Sequence, residues 1–376
     1  MKIGFDAKRL FNNFTGLGNY SRTLVNQLSK QFPQNEYSLY TPKYKLNSET
    51  EHFAYQKNIH LRAPKKALPL WREVRSLKLI KKDGIDIYHG LSHELPIGIQ
   101  KAKVKSIVTI HDLIFKVYPK TYKSVDRAIY DHKFKYACQN SDAIVAISES
   151  TKHDIVKYYG ISEDKIKVVY QACNPLYLDL QSESEVKAVF QKYQLPKHYL
   201  LYVGSIIERK GLLKIVQALE LTPKDNRLPL AIIGKGGDYA EKVKAYAKEK
   251  GLEEHLIWTL VESNKELQAL YQGASIFIYP SIYEGFGIPV VEALLSNTPV
   301  VTSNVSSLPE AAGPNSKCVN PNSPEEISKA ITEILENPTL QETMKEEGRK
   351  YAETTFNNES VTAQMMEVYE KVLSSK

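Results

Sequence analysis

A short apolar run that ends in a polar or glycine turn, followed by an amphipathic helical stretch, recurs along the whole chain. In the first half the runs read KIGFD (2–6), YSLY (37–40), DIYH (86–89), SIVTIHD (106–112), AIVAIS (143–148) and KVVY (167–170). In the second they read YLLYVGS (199–205), LAIIGKG (230–236), LIWTL (256–260), SIFIYPS (275–281) and PVVTSN (299–304). Near-continuous Val, Ile and Leu mark strands buried on both faces, and their alternation with helices requires parallel sheets. A length of 376 residues is too much for one ordinary core. The expectation is therefore an α/β protein of two Rossmann-like domains facing a cleft, with ligands beyond the carboxyl ends of the strands.

Strand patterning lapses after residue 172, where two prolines intervene. This sets expected boundaries at 1–172 for the first domain, 173–196 for a linker and 197–356 for the second domain. A last helix is expected over 357–376. Hydrophobic content of 42% and charged content of 25% are ordinary for a soluble globular chain. The N-terminal MKIGFDAKRLF holds no long apolar stretch, and no run approaches the roughly 18 apolar residues of a membrane span. Cys138, Cys173 and Cys318 are far apart in sequence, which suits unpaired buried thiols in a reducing, cytoplasmic setting.

The charge is unevenly divided. Residues 1–180 carry 29 Lys and Arg against 17 Asp and Glu, a balance of +12, whereas residues 181–376 carry 21 against 26, a balance of −5. Nucleic acid, a phospholipid surface or a phosphorylated substrate would each suit such a basic half. Single-strand nucleic-acid binding would also need aromatic platforms interleaved with the cations, which the sequence lacks, so no nucleic-acid partner is expected. The stretch PLWREVRSLKLIKK (69–82) reads as a basic amphipathic helix, either packed on its own sheet or resting peripherally on an anionic membrane. KKAL (65–68) and KAKVK (101–105) add to that charge.

Chemistry concentrates in SIYEGFGIPVVEA (281–293), between a strand and a helix opened by Pro289. Glu284, Gly285, Phe286 and Gly287 fall in the turn, where free backbone N–H groups favour an anion and glycine admits close approach. Glu292 lies about one turn into the helix. Paired carboxylates suit a polyhydroxylated ligand, because each accepts two hydroxyl hydrogen bonds. Acids that merely complement the helix dipole would leave the glycines unexplained. Gly16 and Gly18, between KIGFD and a helix, can either meet a phosphate or serve backbone geometry alone. Arg209 and Lys210 follow the first strand of the second half and can hold a diphosphate. His111 ends a strand, with Asp112 beside it to hold its orientation. Asp6, His89 and His93 also sit at strand ends, as acceptor-side or structural groups, and Asp112 is grouped with them on the acceptor side. No Asp-x-Asp and no metal-ligand spacing occurs, so no metal is expected.

The E-x7-E of Glu284 and Glu292 resembles the signature of glycosyltransferase family 4, retaining enzymes of the GT-B fold. TGLGNYSRTL (15–24), VTIHDL (108–113), VGSIIERKG (203–211) and IIGKGGDY (232–239) resemble further family motifs, in the family's order over nearly the whole chain. The resemblance implies that the second domain binds a nucleotide-sugar donor and the first a glycan or lipid-linked glycan acceptor, with the last helix crossing back to the first domain. It implies donor contacts from Gly16, Gly18, Gly204, Ser205, Gly234, Val261, Gly285, Phe286, Gly287 and Glu292, the last toward the ribose. His111, Glu284, Lys210 and Arg209 would serve catalysis by a front-face, metal-independent route. GDP-mannose is favoured over UDP-sugars, and surface-polysaccharide assembly at the inner face of the plasma membrane is the expected setting. Ser205 stands where many members have Arg, which weakens the role carried over to Arg209. A nucleotide-sugar 2-epimerase of the same fold, or a non-catalytic sugar-nucleotide-binding subunit, are the rival readings.

Overall fold

A computed structural model describes residues 1–66 and 68–375. Ala67, within KKAL, and Lys376, the last residue of the expected final helix, lie outside the described residues. The chain divides into two units, one of Met1–Ala172 with Asn358–Lys376 and one of Cys173–Asn357.

The first unit is built on seven parallel strands in the order β3-β2-β1-β4-β5-β6-β7. They are β1 Lys2–Asp6, β2 Glu36–Tyr40, β3 Ile59–Arg62, β4 Ile87–Gly90, β5 Lys105–Ile110, β6 Ala143–Ala146 and β7 Ile166–Val168. The second unit holds six parallel strands in the order β10-β9-β8-β11-β12-β13. These are β8 Leu200–Val203, β9 Leu230–Ile233, β10 Leu256–Thr259, β11 Ile276–Tyr279, β12 Val300–Ser303 and β13 Lys317–Val319. Strand order reverses between β1 and β4 in one sheet and between β8 and β11 in the other. Crevices for ligands open at such reversals, beyond the carboxyl ends of the strands.

The central strands are apolar because helices cover both of their faces. One apolar layer of the first unit joins Ile3, Phe5, Leu24, Val25 and Leu28 to Val361, Met365, Tyr369 and Val372 of the helix Asn358–Ser374. A buried polar chain crosses this layer. The Tyr369 hydroxyl bonds His89 Nδ1 at 2.8 Å, His89 Nε2 bonds Thr109 Oγ1 at 2.8 Å, and Thr109 bonds the Tyr20 hydroxyl at 3.0 Å. Burial above all, and then the nearby His111, depress the His89 pKa to about 3, so the chain is neutral at physiological pH.

Several expectations need correction. β3 and β13 carry no apolar run, because edge strands are partly exposed and alternate with polar residues. Residues 173–196 are grouped with the second unit and hold the helix Glu183–Tyr193, started by a Ser182–Glu185 capping box and packed on the helix Asn264–Gly273. The stretch 69–82 is not one amphipathic helix. Leu70 adopts φ 53°, a π-helical turn runs over Trp71–Arg75, and only Ser76–Asp83 is α-helical. Trp71 is buried, and so is Arg72 from the basic set of this stretch. Cys138 and Cys173 are buried free thiols, but Cys318 is exposed on the edge strand β13.

Replacing Tyr369 by Phe leaves His89 Nδ1 without its partner in a dry core. An unsatisfied buried group costs about 1–3 kcal/mol, so the urea midpoint of the first unit's unfolding should fall. An unchanged midpoint would mean that this bond adds no net stability.

Candidate active site

In the second unit, two turns meet at the reversal between β8 and β11. The first runs from Gly204 to Gly211. A Cβ on Gly234, after β9, would lie 1.9 Å from the Gly204 carbonyl oxygen, so only glycine allows these two turns to touch. Gly211 adopts φ +72° against the Pro280 carbonyl, which turns Arg209 and Lys210 toward the end of β11. The second turn runs from Pro280 to Gly287, where φ of +126° lets the helix Ile288–Leu295 begin.

Glu284 is the centre of this meeting. Its Oε1 lies 2.8 Å from Arg209 Nη1 and 3.4 Å from Lys210 Nζ, and accepts from the Tyr279 hydroxyl at 3.0 Å. Lys210 also donates to the Tyr279 hydroxyl and lies over its ring. Arg209 donates to the Tyr283 carbonyl and to Ser281 Oγ. The backbone of the turn is held as well. Ser306 Oγ accepts from the Glu284 N–H at 3.1 Å, and the Ser307 hydroxyl donates to the carbonyls of Glu284 and Phe286 at 2.9 and 2.7 Å.

Burial opposes ionisation of Glu284, yet Lys210 and then Arg209 outweigh it and hold its pKa below the ordinary carboxylate value. Burial depresses the Lys210 amine, and Glu284 offsets only part of that effect. Glu284 thus holds both cations in place at the end of β11. An arriving diphosphate would therefore find two cations already oriented, which strengthens electrostatic contacts at no cost in reorganisation.

Glu292 contrasts with Glu284. It is half-buried, it accepts from the Tyr271 hydroxyl at 3.1 Å, and burial raises its pKa to about 7. The remaining expected donor residues are more dispersed in character. Ser205 is exposed, and its carbonyl accepts from the Tyr202 hydroxyl at 3.0 Å. Val261 is partly exposed in the loop after β10. Gly285 is partly exposed beside Glu284. Phe286 is buried and packs edge-on against Phe356 at 5.2 Å, which anchors the turn.

In the first unit, Gly16 is exposed with open space around it, at the start of the helix Gly16–Gln31. Gly18 is buried, and a Cβ there would overlap the Asn13 carbonyl, so its role is close approach. Its N–H is taken by Asn13 Oδ1 at 3.0 Å. His111 is fully engaged. Its Nε2 bonds the Leu91 carbonyl at 2.9 Å, its Nδ1 accepts from Gln171 at 3.2 Å, and the edge of Tyr20 packs on its ring at 4.7 Å. Burial lowers its pKa to about 4. A ring N–H free to reach a sugar is therefore missing in this geometry, and Leu91 and Gln171, not Asp112, set its orientation. Asp112 Oδ1 accepts from the Ile114 N–H at 3.1 Å.

Of the four groups assigned to the acceptor side, Asp112 is half-buried and the other three are buried. Asp6 is bonded by the Arg72 guanidinium, with Nε at 2.7 Å, and His89 belongs to the buried polar chain. His93 stacks on Phe134 at 4.2 Å, with φ +64°. Structural anchoring explains all three. Sequence reasoning missed Tyr279, Tyr271, Gln171 and Arg72. Tyr279, the last residue of a strand that ends at the candidate site, was the one with a usable signal.

Two doubly wound sheets, with a carboxylate and paired cations at the reversal of the second, define a group-transfer enzyme of the GT-B type. Comparison with known proteins narrows this. The family described as "Glycosyltransferase Family 4" matches residues 14–175, and "Glycosyl transferases group 1" matches residues 185–351. The chain belongs to glycosyltransferase family 4 and is a glycosyltransferase. It is similar to O-antigen chain mannosyltransferase B of Escherichia coli, with 29% identity over 98% of this chain and 99% of the relative. A glycosyltransferase of Rickettsia africae shares the fold with a TM-score of 0.79 and 19% identity, covering 100% of this chain and 99% of that one. HepE of Anabaena, solved with UDP and glucose, does so with a TM-score of 0.76 and 15% identity, over 99% and 100% of the two chains.

The titration of Glu292 can be tested. Its neutral form is favoured by the fold, so its contribution to stability is complete below about pH 4.5 and is lost as pH rises through about 7. Replacement by Gln removes that dependence. The melting temperature of Glu292→Gln minus that of the parent should grow between pH 5 and pH 8, by up to about 3 kcal/mol in free energy at about 1.4 kcal/mol per pH unit. A flat difference across this range would show that the carboxyl is not perturbed.

Proposed function

We propose that this enzyme transfers a hexosyl unit, mannose from GDP-mannose, to a hydroxyl of a glycan or lipid-linked glycan in surface-polysaccharide assembly, with retention at the anomeric carbon. The observation that carries the reading is the Glu284 carboxylate held between Arg209 and Lys210 at the β8/β11 reversal. The name of the E. coli relative, which matches this chain over almost its full length, supports mannose and a polysaccharide acceptor.

In this reading the donor diphosphate takes Arg209 and Lys210, which stabilise its charge as the glycosidic bond breaks. No metal is assigned to that task. The acceptor hydroxyl attacks the anomeric carbon on the face the diphosphate leaves, and its proton passes to a leaving phosphate oxygen. Glu284, released from the cations, accepts hydrogen bonds from the sugar hydroxyls, and Glu292 accepts from the ribose. No nucleophilic side chain is required.

A peripheral contact with an anionic membrane completes the proposal. No helix among the described residues is long and apolar enough to cross a membrane. The exposed surface near 69–82 nevertheless combines Leu70, Val74 and Ile97 with Arg75, Lys78, Lys81 and Lys82. The Ile97 N–H bonds the Glu73 carbonyl at 2.6 Å, which keeps these apolar side chains together. Apolar groups ringed by cations suit the headgroup region of anionic lipid.

Two measurements test the donor site. A thermal-shift panel of GDP, UDP, ADP and their sugar conjugates should show stabilisation by GDP and GDP-mannose, about 2.7 kcal/mol at 100 times the dissociation constant, and Lys210→Gln should abolish it. A response to UDP alone would overturn the choice of base. Glu284→Gln should slow sugar transfer roughly 100-fold through lost positioning. GDP binding should not weaken, because the cations lose their competitor. An unchanged rate would remove Glu284 from catalysis.

A further inference from the structure

The first unit has its own reversal, between β1 and β4, and the charge there is not balanced. Its acids are already occupied. Asp6 and Glu94 both bind Arg72, the latter at 2.8 Å from Nη1, and Lys133 Nζ lies 3.0 Å from Glu94 and 3.5 Å from Glu73. Lys8 and Arg9 directly follow β1 and remain over. Both are half-buried, and among the described residues neither side chain has a carboxylate or hydrogen-bond partner. Lys8 contributes its backbone N–H to Asp6 at 3.2 Å, and its carbonyl accepts from Asn12, so the cationic end is what is left unused.

The surroundings register this excess. Burial first, then Arg72 and Arg9, lower the Lys8 amine, and the acids Glu94 and Asp6 do not cancel them. Burial and then His111 lower His93, with Arg9 and Arg72 adding to the effect. Burial lowers His111, and Arg9 adds to it. The histidines beyond the ends of β4 and β5 thus sit neutral in a positive field. Two unpaired cations match a phosphate dianion, whereas a carboxylate would neutralise only one of them.

We propose that Lys8 and Arg9 form a phosphate-binding site at the β1/β4 reversal, separate from the diphosphate site of Arg209 and Lys210. Given the proposed function, the phosphate is that of the acceptor, an ester or diphosphate through which the glycan is joined to its carrier. The other source of the same chemistry is the donor's own diphosphate, and the experiment separates the two.

Inorganic pyrophosphate is titrated calorimetrically into the full chain, with and without saturating GDP. With GDP saturating the donor site, binding is expected to persist and to weaken roughly ten-fold in Arg9→Gln and in Lys8→Gln. Absence of pyrophosphate binding, affinity equal to the parent's in both first-unit variants, or complete displacement by GDP would each overturn the site. The displacement outcome would assign the phosphate to the donor. Should GDP itself fail to bind, the donor reading falls, while the Lys8 and Arg9 comparison still reports on this site.

Discussion

One carboxylate organises the second unit. Glu284 ties the turn after β8 to the turn after β11 by holding Arg209 and Lys210 on one oxygen. Without an anion between them, two cations on adjacent residues would repel and disperse into solvent. The glycines make the arrangement attainable, since Gly234 and Gly204 bring their turns into contact and Gly287 releases the following helix. The serines at 306 and 307 then fix the backbone of the acid itself. Glu284 consequently locks the two turns together, and in the proposed reading it is the group that the donor diphosphate replaces on the cations.

The two sheets share a topology and resolve their charge differently. At the β8/β11 reversal the cations are covered by Glu284. At the β1/β4 reversal the acids are covered by Arg72 and Lys133, and it is cations that stay uncovered. Pairing a buried Asp6 with Arg72 is costly in desolvation, and the arrangement holds because Asp6 also accepts a backbone N–H and Arg72 binds a second acid. A site whose cations are pre-paired favours an anion that can replace the carboxylate. One whose cations are free has no such filter and attracts anions by charge alone.

Legibility in the sequence followed locality. Strands buried on both faces announce themselves through apolar runs, and the reversal explains why the residues after them matter. Glu284 and Lys210 were readable because each belongs to a short motif beside a strand end. His89, His93 and Asp6 occupy equivalent strand ends and carry no local sign of burial. Their partners Tyr369, Phe134 and Arg72 lie tens to hundreds of residues away. The same distance hid the character of 69–82, whose charge pattern fits a solvent-facing helix until Asp6 and Glu94 draw Arg72 inward. Family likeness placed His111 at the site, but Leu91 and Gln171, which occupy both ring nitrogens, leave no local sign in the sequence.

Glu284 and Glu292 show how little residue type settles. Both are carboxylates on one strand-turn-helix segment, and both lose solvent. Lys210 and Arg209 repay that loss for Glu284, which stays ionised. Among the described residues Glu292 has only the Tyr271 hydroxyl, so burial prevails and its pKa rises to about 7. A carboxylate meant to accept two hydroxyls must be charged to do so well. Ligand hydroxyls would supply the missing hydrogen bonds and pull the Glu292 pKa back down, so binding and ionisation are linked. The residue is then most costly to the fold when the site is empty at alkaline pH, and that cost is recovered on binding. In the proposed reading, that linkage is what an acid in an otherwise apolar helix face supplies.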